Sequence, residues 1–124
     1  MDGDDYRNPF TSEVSQMKAP STIRIGSSDF DIVTVKEIDG GNSIGMFYRD
    51  AKRIEMVKQS PDIDANTLLH EVMHGLMGES GLDQTPWGRK NEEQIVTALT
   101  NQLMQLFLNN PNLPKYLAWA VKQP

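Results

Sequence analysis

The chain holds two histidines, and they flank a glutamate four residues apart: His70-Glu71-Val72-Met73-His74. On a helix, residues at i and i+4 share one face, a turn apart. His70 and His74 can therefore offer both imidazoles to one metal ion. Glu71 lies next to that face, within reach of a water on the same ion. Zinc suits imidazole, and a catalytic zinc takes three protein ligands and keeps one position for water. Zinc lowers the pKa of that water to about 7 and polarises a carbonyl. Glu71 is then the catalytic base, moving the water's proton to a leaving amine. The bland alternative is a helix with two ordinary histidines. That both histidines of the chain fall at this spacing, with the glutamate in place, favours the metal.

The third ligand must come from elsewhere, because no third histidine and no cysteine exists. Ser80 stands where the longer histidine motif of metzincins would place its third ligand, and Met77 stands where that motif needs glycine. A carboxylate remains. Glu92 and Glu93 follow His74 by 18 and 19 residues, at the expected start of a second helix. A loop and an antiparallel return can bring that turn beside the histidines. Acids at a helix start also complement its dipole, so neither glutamate alone would argue for a ligand. By helix angle Glu92 points nearer the middle of the apolar face and Glu93 lies at its edge, with Val96, Thr97 and Thr100 on the turns that follow. Thr97 and Thr100 supply polar partners for a ligand. Glu93 is the preferred metal ligand, with Glu92 as the alternative. Asp83, nine residues after His74, is a weaker candidate.

The elements that must position these residues divide the chain in two. Thr22 to Ile25, Phe30 to Val35, Ile44 to Tyr48 and Arg53 to Val57 alternate or are rich in β-branched residues, with Gly-, Ser- and Asp-containing turns between them. They predict a small antiparallel sheet of three or four strands. After Ser60-Pro61-Asp62, which suit a helix entrance, Leu68, Leu69, Val72, Met73, Leu76 and Met77 recur at helical spacing, and Gly78 and Gly81 offer a stop. Residues 82–91 read as a loop, with Asn91 as the next cap and Trp87 as loop packing. Arg89-Lys90 reads as a solvated charge pair. Ile95, Val96, Leu99, Leu103, Leu106 and Phe107 give the second helix an apolar face. Leu113 to Val121 predict a short last helix packed through Leu117 and Trp119 or Val121. The fold class is α+β.

At 124 residues the chain is one domain by size. Residues 1–20 read as a flexible tail, and residues 21–124 as the domain. The balance of 12 basic and 17 acidic residues, a net −5, argues against a nucleic-acid or anionic-membrane partner. No apolar run approaches the roughly 20 residues of a membrane span. The acidic start, Met1 to Asp5, is unlike a secretory signal. The absence of cysteine rules out disulfides and thiol catalysis. A cytoplasmic location is expected.

Thr67 to Leu76, followed by Asn91-Glu92-Glu93-Gln94-Ile95-Val96 and Asn109-Asn110-Pro111, resembles the small gluzincin-type zinc metallopeptidases often encoded by phages and mobile elements. The resemblance spans roughly residues 22–111, and the His-Glu motif carries most of its weight. It implies a zincin-like minimal core, Zn2+ as cofactor, and His70, His74 and one of Glu93 and Glu92 as ligands, with Glu71 as base. It also implies a peptide or protein substrate lying along an edge strand, here mapped onto Ile54, Glu55 and Met56. If the chain is phage-encoded, the compartment is the host cytoplasm. The family's larger members stabilise the oxyanion with a Tyr or His. Tyr48 and Tyr116 are the tyrosines to consider, and the spacing selects neither. The expected function is a zinc-dependent metallopeptidase of narrow specificity. The alternative is a non-catalytic zinc-containing module that docks a partner along its sheet edge. Intact Glu71 favours the enzyme, since a structural zinc needs no base and usually closes its fourth position.

Overall fold

The computed structural model describes residues 17–124, so most of the expected tail lies outside the described residues. Four strands, β1 (Thr22–Ile25), β2 (Ser28–Val35), β3 (Gly45–Tyr48) and β4 (Arg53–Val57), precede three helices, α1 (Pro61–Ser80), α2 (Pro86–Asn109) and α3 (Asn112–Ala120). The α+β expectation holds: one sheet, two main helices and a short last one.

The sheet is mixed rather than wholly antiparallel. Its order is β1-β2-β4-β3. β1 and β2 form a hairpin, β3 and β4 form another, and β2 pairs with β4 in parallel. The physical reason lies in the connection from β2 to β3. Residues 36–44, with a single helical turn at Asp39–Gly41, carry the chain past one vacant strand position, about 5 Å wide. The tight turn after Tyr48 then folds β4 back into that position.

This order corrects a second expectation. Arg53–Val57 is not an edge. It is bonded on both sides, and Ile54 and Met56 are core residues at 0% and 6% exposure. Ile54, Glu55 and Met56 therefore cannot offer their backbone to a peptide. The edge on that side of the sheet is β3.

One sheet face carries the core. Ile25, Phe30, Ile54 and Met56 are buried against Val72 of α1, with Ile23, Ile32, Phe47 and Leu68 around them. Phe30 and Phe47 stack at 5.1 Å. Burying a side chain the size of Ile54 contributes about 1.5–3 kcal/mol, so this face fixes α1 on the sheet. α2 packs on α1 and does not touch the sheet. Val96 and Thr100 are fully buried in α2, and Met77 is buried in α1.

α1 ends at Gly81, whose φ of 81° supplies the left-handed cap, and Gly78 stays inside the helix. α2 begins at Pro86, six residues before the expected start at Glu92. Thr85 is its cap, accepting a hydrogen bond from Gly88 N at 2.9 Å, and Pro86 fits the first helical position. Asn91 is therefore inside the helix, and Trp87 is 63% exposed rather than packed. Among the described residues α3 packs only on α2, and Leu117, Trp119 and Val121 are exposed, contrary to the packing expected of them.

Gly88 is needed where it stands. A Cβ there would collide with the Leu82 carbonyl and lie 2.8 Å from Thr85 Oγ1. Gly88→Ala should therefore destabilise the chain by about 1–3 kcal/mol in urea unfolding, although alanine favours a helix by about 1 kcal/mol. A gain in stability would contradict this packing.

Candidate metal centre

His70 and His74 lie one turn apart on α1, with ring centroids 5.0 Å apart. The sequence places them on the face beside α2 because Val72 and Leu68 take the face toward the sheet. The early start of α2 gives it nearly two turns before Glu92, so Glu92 and Glu93 meet the histidines side by side.

The two glutamates do different things. Glu93 Oε2 is 3.1 Å from His70 Nε2, and Glu93 Oε1 is 3.0 Å from His74 Nε2. Ligand atoms of His70, His74 and Glu93 lie within 4.8 Å of one another, so this group could hold a metal ion. Glu92 Oε2 sits 2.6 Å from His74 Nδ1, on the far side of the ring. A carboxylate only accepts, so the neutral tautomer that donates Nδ1–H to Glu92 is the one that would leave the Nε2 lone pair to a metal. A carboxylate behind a ligating histidine also fixes ring orientation and raises its basicity. Glu93, the preferred glutamate of the pair, is the one whose carboxylate meets both histidines, and Glu92 stands behind His74 instead.

Thr97 Oγ1 donates to Glu93 Oε2 at 3.3 Å. Thr100 is fully buried and its hydroxyl has no hydrogen-bond partner among the described residues, Glu93 included. Asp83 is not a ligand either: it pairs with Arg49 at 3.0 Å. Tyr48 is turned to the sheet's other face, over the Arg53 guanidinium. Its neighbour Phe47 takes the α1 face, as strand alternation demands. Tyr116 pairs with Trp119 on α3, beyond an α2 end about 24 Å along the helix from Glu93. Neither tyrosine is placed to act on a carbonyl at the metal group.

Burial holds His70 below its ordinary pKa, against an opposing pull from Glu93. Its neutral form, the one that binds metals, is thereby favoured. Burial also pushes the Glu71 carboxyl up to about 7. Its residue is 8% exposed, and its open side faces a groove of about 230 Å³ lined by Ser43, Ile44, Gly45, Asn66, Thr67 and His70. Gly45 makes that approach possible. A Cβ there would meet Thr67 Cγ2 at 2.5 Å and Glu71 Oε2 at 3.0 Å. The groove and Gly45 were not foreseen, because nothing in a Ser-Ile-Gly stretch announces a helix two strands away in the chain.

Compared with known protein families, curated proteins and solved structures, the chain gave no match. Among the described residues no helix is long and apolar enough to cross a membrane.

Chelator-stripped chain should take up about one divalent ion per molecule, measured by elemental mass spectrometry after dialysis. His70→Ala, His74→Ala and Glu93→Ala should each abolish this uptake. Glu92→Ala should keep it with an affinity lower by about 10–100-fold. Equal losses in the Glu92 and Glu93 variants would contradict the division of roles.

Proposed function

We propose that the chain is a zinc-dependent metallopeptidase. The observation that carries this reading is the placement of Glu71: a buried carboxyl facing a groove, one residue from a metal-binding histidine and beside a complete set of three donors. Two imidazoles and one carboxylate are the donor set of catalytic zinc sites with an open fourth position. His70, His74 and Glu93 would hold the ion. When bound, zinc supplies a polarised carbonyl and an acidified water.

The chain's own residues do the rest. Glu71 takes the proton of the attacking water and delivers it to the departing amine. A carboxyl whose proton affinity is raised by burial suits both halves of that transfer, and a cation beside it would draw its pKa back down. Glu92 holds His74 in the metal-binding tautomer.

Substrate orientation falls to β3, in place of the strand expected from sequence. Val57 N donates to Ile44 O, so Ile44, Met46 and Tyr48 turn their backbone groups toward β4 and Gly45 and Phe47 turn theirs away from it. An extended peptide pairing along that outer edge would cross the mouth of the Glu71 groove. Ser43 Oγ donates to Gly45 O at 2.8 Å, which a peptide N–H would have to displace or share.

Glu71→Gln should bind zinc as the native chain does and lose about 10²–10⁴-fold of its hydrolytic rate, read by mass spectrometry on a mixed peptide library. Undiminished cleavage in that variant would sink the mechanism.

A further inference from the structure

Glu93 reaches the histidines only if the connection between α1 and α2 is held at one angle. That connection is the helical turn Leu82–Gln84, flanked by Gly81 and Thr85. Its local ties join it to the two helices it links. Leu82 N donates to Ser80 Oγ, and Arg89 donates to the carbonyls of Asp83 and Gln84 at 3.5 and 3.2 Å. Its backbone packs on α1 and α2 and on no strand.

One side chain crosses from the sheet. Arg49, in the turn after β3, donates from Nη2 to Asp83 Oδ2 at 3.0 Å. Its guanidinium also lies 5.6 Å from the centre of the Phe47 ring. It runs over α1 at Gly78, where any Cβ would collide with it. A glycine inside a helix is unfavourable relative to alanine, and here the guanidinium occupies the space that this glycine leaves. The Asp83 side chain is only 14% exposed. Strand turn, helix α1 and connection are thus tied at one point, two turns of α1 or fewer from His74.

We infer that Arg49 is a positioning residue for the metal centre: through Asp83, over Gly78, it sets the α1–α2 connection so that Glu93 meets His70 and His74. The inference rests on the metal-centre reading. Arg49 is half-exposed, so solvent screens the pair and it adds little to global stability. Its effect should therefore show in metal affinity, which depends on sub-ångström placement of a third ligand, more than in unfolding.

The test is titration of Co2+ into the chelator-stripped full chain, following the visible absorption bands, beside thermal unfolding of the metal-free chain. Arg49→Ala and Asp83→Asn should each weaken Co2+ binding about tenfold, with unfolding midpoints near native. The double variant should be no weaker than either single one, because both remove the same tie. The exchanged pair Arg49→Asp with Asp83→Arg should recover part of the affinity. Arg24→Ala, which breaks the exposed pair with Asp29 on the β1–β2 hairpin, should change nothing. Native chain that binds Co2+ beside Arg49 variants within twofold of it would overturn this inference alone. Native chain that binds no Co2+ would overturn the metal centre, and this inference with it.

Discussion

The contact between the Glu93 carboxylate and the two imidazole nitrogens of His70 and His74 is the constraint that the rest of the structure serves. Two histidines on one helix come together by local geometry alone. A third donor from a different helix does not. It requires α2 to return antiparallel beside α1 at a set depth and rotation, and most of the connection's unusual features bear on that return. Thr85 caps the new helix, Pro86 starts it, Gly88 lets the preceding turn lie against its first residues, and Gly81 ends the old one in a left-handed conformation.

The sheet contributes in two ways. Its apolar face anchors α1 through Val72 and Leu68, which leaves the histidine side of the helix turned toward α2. Its β3 edge, through Gly45, approaches Glu71 closely enough to bury the carboxyl while leaving it open to a groove. Glu71 and the two histidines on α1, Glu93 on α2 and the β3 edge are therefore brought together through α1. Glu92 adds a carboxylate behind the His74 ring. In a chain this short, each of these elements has a structural duty as well as a place in the site.

The parts of this arrangement legible in the sequence were those set by local period. The strands, the histidine face of α1 and the edge position of Glu93 on α2 all follow from spacing. Pairing was not legible. Arg53-Ile54-Glu55-Met56-Val57 alternates in the same way whether it is an edge or a centre strand, because one face of the sheet is solvated in either case. The parallel pairing of β2 with β4 depends on a connection that skips a strand position, and no residue pattern encodes the skip. The start of α2 was readable in Thr85-Pro86 but was masked by Gly88, whose low helix propensity is overridden by the close approach of Leu82. The last helix misleads in the other direction: Leu117, Trp119 and Val121 have the spacing of a packed face, yet all three are exposed. Asp83 reads as a weak ligand candidate and Arg89 as a solvated charge because their partners, Arg49 and two backbone carbonyls, are fixed only by the tertiary fold.

One ion held by two imidazoles of α1 and one carboxylate of α2 would leave its signature in X-ray absorption at the zinc edge of zinc-loaded native chain. The spectrum should show a four- or five-coordinate shell of light donors, with imidazole scattering from two histidines and zinc–nitrogen distances of about 2.0–2.1 Å. A shell without imidazole scattering, or six oxygen donors alone, would contradict it.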